Sequence, residues 1–488
     1  MGDHPDPCRP RVPGRYRCHH PLEEVIRMKA SWIIVTWSIL LVLVLFLWLI
    51  PETDDGGNIT GPRVPVLPAD WDPGSITGIR IEYPEDRTFV LERSENGWMQ
   101  VEPFSHPVEG YIIRQLLIDA LGLMAHDSFE PGALPSNRSL ESLSLDPARV
   151  TIHMATQDGQ ERELHLGRRS LAGRAWLQND ADQRVIVADS KLHQRLLGQD
   201  PIQWRSRSLV QVPADLDTII FTIGDRSSRL QREGTSWRMT EPVTTRADSE
   251  AIDRLLMAMG RAGNTAFMMD QPDELGIYGL DPPQASLVLS GPGGRHEVRL
   301  GNPIELDSQD RYGMVAGVPT IVRVDQATQS TLFPPEYGLL DPTGSAARPE
   351  DVRWVEVRLP DGTFSLRRNL DGFLGGHGID AEDDSLVPVA PELVDQLLQQ
   401  LTTSRAQQVS VQEYPSRFKV ATIILHGFNG RPVDAINVVE DPSTGNIGLD
   451  NGDGVLRIFP ARMAPALDPV EYGLEPMPTL PFAEDQSP

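Results

Sequence analysis

Cysteine is almost absent from this chain of 488 residues, and both copies, Cys8 and Cys18, lie near its start. Everything after residue 18 must therefore be stable through packing, without disulfide bonds. No cysteine directly follows the apolar segment described below, which excludes the attachment point of a lipoprotein. Cys8 and Cys18 with His19 and His20 match no common zinc spacing, so we expect no metal site there.

Positive charge is also scarce. The chain has 44 Lys+Arg against 69 Asp+Glu, a formal net charge of -25. Such a surface repels a phosphate backbone, so we expect no nucleic-acid partner. The acidity favours solubility but does not specify a ligand.

Familiar catalytic motifs are missing as well. The sequence has no G-x-x-x-x-G-K-S/T loop, which excludes the ATPase subunit of a transporter, and it has no G-x-S-x-G or H-E-x-x-H pattern. We therefore predict no catalytic residues, no cofactor and no metal ligands. Structural or surface roles are expected for the eight scattered histidines of the C-terminal region, none of which lie at i, i+4 spacing: His106, His126, His153, His165, His193, His296, His377 and His426.

One long apolar run is present, Trp32–Ile50, in which Thr36 and Ser38 are the only polar residues. A helix of this length spans about 28 Å, close to the thickness of a bilayer core. We predict a transmembrane helix over residues 31–50, ended by Pro51.

The flanking charges predict the direction of this span. Acidic residues follow it, and six bases precede it: Arg9, Arg11, Arg15, Arg17, Arg27 and Lys29. The positive-inside rule then makes residues 1–30 cytoplasmic and places the rest outside, as in a single-pass protein of the bacterial inner membrane. A cleaved signal peptide is the alternative, but the run is longer than usual and no A-x-A site follows. Met28 is a candidate for the true start.

Residues 51–73 are rich in proline and glycine and are interpreted as an extended linker. Internal repeats follow. Trp98 with Glu102-Pro103 and Trp237 with Glu241-Pro242 share the pattern Trp-x-x-x-Glu-Pro, and further matches follow in the same order. They are Ile113, Leu116 and Leu117 with Ile252, Leu255 and Leu256; Leu145-Asp146-Pro147 with Leu280-Asp281-Pro282; and Leu164-His165-Leu166-Gly167 with Val298-Arg299-Leu300-Gly301.

A third copy is degenerate, with Gly372-Phe373 where Gly-Trp is expected and an amphipathic helix from Pro391 to Leu401. Glu336-Tyr337-Gly338-Leu339 recurs as Glu471-Tyr472-Gly473-Leu474 and closes copies two and three. The predicted units are residues 74–212, 213–347 and 348–476, followed by a flexible tail, 477–488. Each unit has the pattern of an antiparallel sheet with one packed helix, so the fold class is α+β.

The repeated residues have two interpretations each. Trp98 and Trp237 could stack on a sugar or clamp a peptide, but repeats preserve packing first, which favours core positions. Glu102 and Glu241 could act as carboxylate catalysts, but a turn or capping role before Pro103 and Pro242 is favoured.

Three further segments contain glycine or clustered carboxylates that could form turns or bind calcium. Tyr278-Gly279-Leu280-Asp281-Pro282 is interpreted as a structural turn, because glycine allows positive φ and proline sets the exit. Glu382-Asp383-Asp384 and the loop Asp450–Gly454 suggest calcium, but the loop lacks the spacing of an EF-hand and fits a hairpin turn better.

With its uncleaved anchor, the Trp-x-x-x-Glu-Pro step, the paired leucines and Tyr278–Pro282, the chain resembles the bacterial family called domain of unknown function 4340. The resemblance covers about residues 74–476 and is strongest in the first two units. It implies an association with auxiliary parts of ABC transporters of the gliding-motility type. The family has no assigned catalytic residues to carry over.

Three functions remain open. The first is a non-enzymatic envelope protein that acts as an accessory or interaction subunit, with a membrane permease as partner. The second is a periplasmic module that binds glycan or peptide in a cleft between units. An enzyme is the third, and would require two carboxylates or a Ser/His pair to meet in one pocket. The oligomeric state is not indicated by the sequence.

Overall fold

Antiparallel pairing organises the chain into three sheets in the computed structural model, which describes residues 64–477 except 131, 136, 171, 336, 379–384 and 412–417. The α+β class predicted from the alternating patterns is confirmed. The segment predicted to be cytoplasmic, the predicted membrane span at 31–50 and the tail from 478 lie outside the described residues, as does Glu382-Asp383-Asp384.

The first sheet has ten strands in the order β1-β6-β10-β9-β8-β7-β2-β3-β4-β5. Its strands are β1 (Val64–Pro65), β2 (Ile76–Tyr83), β3 (Arg87–Ser94), β4 (Gly97–Glu102), β5 (His106–Pro107), β6 (Met124–Phe129), β7 (Val150–Thr156), β8 (Glu161–Arg169), β9 (Arg174–Asn179) and β10 (Val185–Asp189).

The second sheet has nine strands in the order β14-β13-β12-β11-β16-β17-β18-β19-β15. Its strands are β11 (Thr218–Ile223), β12 (Arg226–Glu233), β13 (Ser236–Glu241), β14 (Thr245–Arg246), β15 (Ala266–Asp270), β16 (Ala285–Gly291), β17 (Gly294–Pro303), β18 (Arg311–Val315) and β19 (Thr320–Val324).

The third sheet also has nine strands, in the order β23-β22-β21-β20-β25-β26-β27-β28-β24. Its strands are β20 (Val352–Leu359), β21 (Gly362–Arg368), β22 (Phe373–His377), β23 (Val387–Val389), β24 (Gln408–Ser410), β25 (Lys419–Gly427), β26 (Pro432–Glu440), β27 (Ile447–Asp450) and β28 (Leu456–Phe459).

The three sheets share one topology. One half of each sheet consists of the first hairpin of the unit and the two strands that follow it. The other half is a four-stranded meander, flanked by the strand that follows the long helix. The first sheet has one additional edge strand, β1. The third sheet follows this order although its sequence has lost the tryptophan and the Glu-Pro step. Each sheet with its helices forms one unit of the chain, and the units are repeat-like.

Amphipathic helices pack on the sheets. Each unit has one long helix, and the first two units also have a short second helix that the sequence patterns did not reveal. The helices are α1 (Gly110–Leu121), α2 (Lys191–Gly198), α3 (Ser249–Met259), α4 (Gln326–Leu332) and α5 (Pro391–Thr402). Within the part of the chain that the structure describes, every helix is too short or too polar to cross a bilayer.

The cores form where the long helix covers the alternating face of the sheet. In the first unit, Ile79 and Ile81 of β2 point to the same face and are buried with Ile113, Leu116 and Leu117 of α1. Each such leucine contributes about 1.5–3 kcal/mol by burial. The second and third units have their own buried clusters of the same construction.

The described end of the segment interpreted as a linker is part of the first unit. Val64 and Pro65 form β1, which pairs with β6. Val66, Leu67 and Trp71 are buried in the first core. Burial of these apolar side chains stabilises the packing of the segment against the first unit. The proline-rich composition of residues 51–73 did not indicate this packing.

Candidate functional site

The repeated aromatic residues lie inside the units. Trp98 of β4 and Trp237 of β13 are only 8% and 4% exposed and belong to the first and second cores. Phe373 of β22 holds the corresponding place in the third core. None of these three rings therefore presents a free face on which a sugar could stack.

The Glu-Pro steps end the strands that carry the tryptophans. Glu102 is exposed and forms an ion pair with Arg80 at 3.8 Å. Glu241 is exposed and accepts a hydrogen bond from Nε of Arg229 at 3.2 Å. The two glutamates belong to different sheets, and each is neutralised by an arginine of its own sheet. The peptide bonds Glu102-Pro103 and Glu241-Pro242 are both cis.

The segment Tyr278–Pro282 forms a tight turn beside the end of β17. Gly279 has φ of 67°, in the left-handed region, Leu280 is buried, and the Asp281-Pro282 peptide bond is cis. The backbone approaches β17 so closely that a Cβ on Gly301 would lie 2.0 Å from the carbonyl oxygen of Tyr278. The turn therefore requires glycine at both places.

The loop at Asp450–Gly454 connects β27 and β28, which pair with each other in antiparallel register. Its last carboxylate, Asp453, accepts hydrogen bonds from Nη2 of Arg457 at 2.8 Å and from Oγ1 of Thr245 at 2.5 Å. Asp453 is thus neutralised by a guanidinium and is a poor candidate for a calcium ligand.

The turn end of the first hairpin forms a groove in the first and second units and is covered by the chain in the third. In the second unit this hairpin consists of β11 and β12, with Ile223 opposite Arg226 beside the turn. In the third unit it consists of β20 and β21, with Leu359 opposite Gly362 at the same place. The chain that closes each of these two units passes over this end of the sheet, so the closing segment determines how far the groove is filled.

The third unit fills its groove with its own chain. The ring of Tyr472 packs against Phe364 at 5.7 Å between centroids. Leu474 lies over Gly375, where an added Cβ would come within 3.1 Å of it, and Met477 lies over Gly362, where an added Cβ would be 2.9 Å from its Sδ. The segment after Tyr472 thus covers the hairpin up to its turn.

The second unit leaves the corresponding place open. Leu339, the counterpart of Leu474, lines the groove, but the chain then turns away, and Pro342 accepts a hydrogen bond from Ala406 of the third unit. Between Leu339 and the hairpin turn lies a cavity of about 320 Å³. Ile223 is 43% exposed at its edge. The residues that line the cavity are mostly apolar: Phe221, Ile223, Leu230, Met239, Phe333, Pro334, Pro335 and Leu339, with Arg226 and Ser228.

The first unit has a wide polar groove at this end, of about 1250 Å³. The guanidinium of Arg87 lies 4.5 Å over the ring of Tyr83. Burial raises the pKa of Tyr83 far above its usual value, although Arg87 opposes the shift, and the hydroxyl donates to the carbonyl of Leu196 at 2.9 Å. The carboxylates that line the groove are those of Glu85, Asp86, Glu102 and Asp200.

The sequence contained one sign of these grooves. The repeated Glu-Tyr-Gly-Leu segments mark the chain that closes the second and third units, and the leucine and tyrosine of each segment pack against the core of its unit. Whether residues beyond the leucine remain on the groove depends on where the chain goes next, which no local pattern encodes.

Comparison with known proteins gives one family. The family model described as Domain of unknown function (DUF4340) matches residues 237–422, and the chain contains a domain of that family. The match begins at Trp237 in β13 and ends in β25, so it includes Tyr278–Pro282 and the apolar groove's Met239. No curated protein matches the sequence.

Proposed function

We propose that this chain, which contains a DUF4340 domain, is a non-enzymatic envelope protein that acts as an accessory subunit of an ABC-transporter-like complex. Its N-terminal helix holds it in the bacterial inner membrane, and the three units lie outside the cytoplasm. The partner is a membrane permease, and an extended apolar segment of that permease enters the groove of the second unit.

The open groove is the observation that carries this proposal. In the third unit the chain continues past Leu474 and places Met477 against Gly362 at the hairpin turn, which indicates that an occupant of this place is an extended segment with apolar side chains. Among the residues that the structure describes, the second unit has Leu339 in the place of Leu474 but none that fills the cavity beside it. An exposed apolar cavity in a strongly acidic surface is a typical feature of a protein–protein contact.

The length of the chain supports a partner in the membrane. The predicted span ends at Ile50, and the first unit begins with β1 at Val64. The 13 residues between them (51–63) reach at most about 45 Å when fully extended. In the proposed topology, this reach limits the beginning of the first unit to within about 45 Å of the outer face of the bilayer, the side on which the exposed loops of a permease also lie.

Copurification tests the proposal. The tagged chain, solubilised in mild detergent, should retain a permease identified by mass spectrometry. Ile223→Glu should abolish that retention, because it places a charge in the apolar groove. Leu306→Glu is the matched control, since Leu306 is fully exposed elsewhere in the second unit. Equal retention of the permease by both variants, or recovery of no membrane protein by the unmodified chain, would overturn the proposal.

The alternative, a periplasmic module for glycan or peptide, is favoured by the polar groove of the first unit. Its carboxylates can accept hydrogen bonds from sugar hydroxyls. Arg87 covers one face of Tyr83, however, which leaves less aromatic surface for a sugar ring. Binding of cell-wall glycan fragments that Glu102→Gln abolishes and Ile223→Glu leaves intact would favour this alternative over the accessory subunit.

A further inference from the structure

Two imidazoles and two carboxylates meet on the solvent side of the first sheet. The hairpin of β7 and β8 places His153 opposite Glu163, and His165 is two residues further along β8 on the same face. Asp180 follows β9, where its backbone N–H donates to the carbonyl of Glu163 at 3.2 Å. Four residues from three neighbouring chain segments therefore share one patch.

Their side-chain atoms have the separations that a metal site requires. Oε1 of Glu163 lies 3.1 Å from Nε2 of His165, and Oε2 of Glu163 lies 3.4 Å from Nδ1 of His153. One ligand atom each of Glu163, His165 and Asp180 fall within 4.8 Å of one another. Neighbouring ligands of a tetrahedral zinc ion, with bonds of about 2.0–2.2 Å, are separated by roughly 3.3 Å.

A second hydrogen bond orients the His165 ring. Its Nδ1 lies 3.3 Å from Oγ1 of Thr151, on the strand opposite, so that Nε2 faces Glu163. Histidines that bind metals usually have such a partner on the other ring nitrogen, which sets the orientation of the ring.

On the corresponding face of the second unit, arginine side chains take the place of the imidazoles. Glu297 and Arg299 of β17 correspond to Glu163 and His165 of β8. There Nε of Arg299 donates to Oε1 of Glu297 at 2.7 Å, and Arg295 donates to the other oxygen at 3.0 Å. The carboxylate is thus neutralised by guanidinium groups in the second unit, whereas imidazoles surround it in the first.

The nearby arginines of the first unit are directed elsewhere. Arg80 pairs with Glu102, and Arg162 donates to the backbone carbonyl of Glu161 while its guanidinium lies over the Trp71 ring. A further carboxylate, that of Glu82, lies 3.8 Å from Nε2 of His153. The patch is reached from solvent through an open cavity of about 690 Å³.

We propose that this patch binds one divalent transition-metal ion of the zinc type, with Glu163, His165 and Asp180 as ligands and His153 beside them to complete the coordination. Imidazole together with carboxylate suits zinc, whereas a site for calcium or magnesium would be built from oxygen ligands alone. This site is independent of the apolar groove, which lies in another unit.

Zinc binding by the purified full chain in detergent tests this proposal. Because thiolates would compete for zinc, all proteins carry Cys8→Ser and Cys18→Ser. After treatment with a chelator, calorimetric titration with zinc chloride alone should show one ion bound per chain. Glu163→Gln, which keeps the shape of the side chain, and His165→Ala should each weaken binding at least about tenfold.

His126→Ala is the matched control. His126 forms an imidazole–carboxylate pair with Asp189 at 2.9 Å in the same sheet, and its loss should leave zinc binding unchanged. Cobalt(II) should give the intense visible absorption of a four-coordinate site in the control and not in Glu163→Gln. Failure to bind zinc, or equal affinity in the control and in a Glu163→Gln chain with unchanged circular dichroism, would overturn the proposal.

Discussion

At the scale of single residues, His193 shows how burial sets protonation. It lies on α2 with its side chain fully enclosed, and its Nε2–H donates to the carbonyl of Trp176 at 2.9 Å. Burial lowers the pKa of His193 from 6.5 to about 4, although the hydrogen bond to Trp176 opposes the shift. The folded chain therefore keeps this imidazole neutral where the unfolded chain is protonated.

The sign of the pH dependence follows. Between pH 6.5 and about 4 the unfolded state binds a proton that the folded state does not, so stability falls as the pH falls. From pH 7 to 4.5 the unmodified chain should lose about 2–3 kcal/mol more than His193→Gln in urea titrations followed by tryptophan fluorescence. His377→Gln, at an exposed position, should behave like the unmodified chain. The same loss in all three proteins would refute the argument.

At the scale of elements, the long helices differ in how their N-termini are capped. The carboxylate of Asp248 accepts from the backbone N–H of Ala251 at 3.0 Å and so caps α3, whereas Glu109 before α1 makes no such bond. Asp248 also pairs with Arg405 of the third unit, so one side chain has a local and a long-range role.

Two substitutions separate these roles. Asp248→Ala removes both interactions and should destabilise the second unit by about 1 kcal/mol through the cap alone, with a further loss from the ion pair. Asp248→Asn keeps the cap and removes the charge, so its cost should be smaller. Glu109→Ala should be close to neutral. Thermal melts followed by circular dichroism measure all three, and an Asp248→Ala chain as stable as Glu109→Ala would contradict the capping role.

Several elements could be predicted from the sequence, and others could not. The helix expected from Pro391 to Leu401 is observed as α5, because its leucines repeat with the helical period over three turns. The strands β5 and β14 have only two residues each, and strands of that length contain no periodicity to detect. They form because their backbone groups pair with the N–H and C=O groups at the open edge of the neighbouring strand, β4 or β13.

At the scale of the whole molecule, buried arginines join the units. Arg205 lies between the first and second units, where Nη1 donates to both carboxylate oxygens of Asp270 at 2.9 Å and the guanidinium covers the Phe104 ring at 4.6 Å. Arg457 of the third unit is fully buried, and its Nε donates to the carbonyl of Asp341 at 2.9 Å.

The contact between the second and third units also lowers the pKa of a carboxylate. Burial by itself would raise the pKa of Asp453, but hydrogen bonds from Arg457 and Thr245 outweigh it and hold the pKa below its usual value. Thr245 belongs to the second unit, so the ion pair of the third unit is completed by its neighbour. The two units are therefore expected to unfold together.

Replacing the buried arginine should break this coupling. Arg457→Met leaves Asp453 without its cation and should cost about 3 kcal/mol, so that calorimetry shows the third unit melting before the second. Arg254→Met removes an arginine from an exposed pair with Glu250 and should change the stability by less than about 0.5 kcal/mol. A single unchanged transition in Arg457→Met would mean that the network contributes little to the junction.

The amino-acid sequence by itself determined the repeat, the sheet-and-helix composition and the two-residue alternation that buries one face of each sheet. These depend on residues close together in the chain, whose periods of two and 3.6 are visible locally. Hairpin register is nearly local as well: His153 and Glu163, which pair across β7 and β8, lie only five residues on either side of Asp158 in the turn.

Only the tertiary structure decided which surfaces remain open. Leu339 and Leu474 occur in the same four-residue motif, yet the chain leaves one groove and fills the other, because the second unit continues into a third. Asp180 joins Glu163 and His165 through strand order, and Arg457 meets Thr245 across a junction more than 200 positions apart in the chain. Such contacts depend on the path of the whole chain, which local periodicity does not contain.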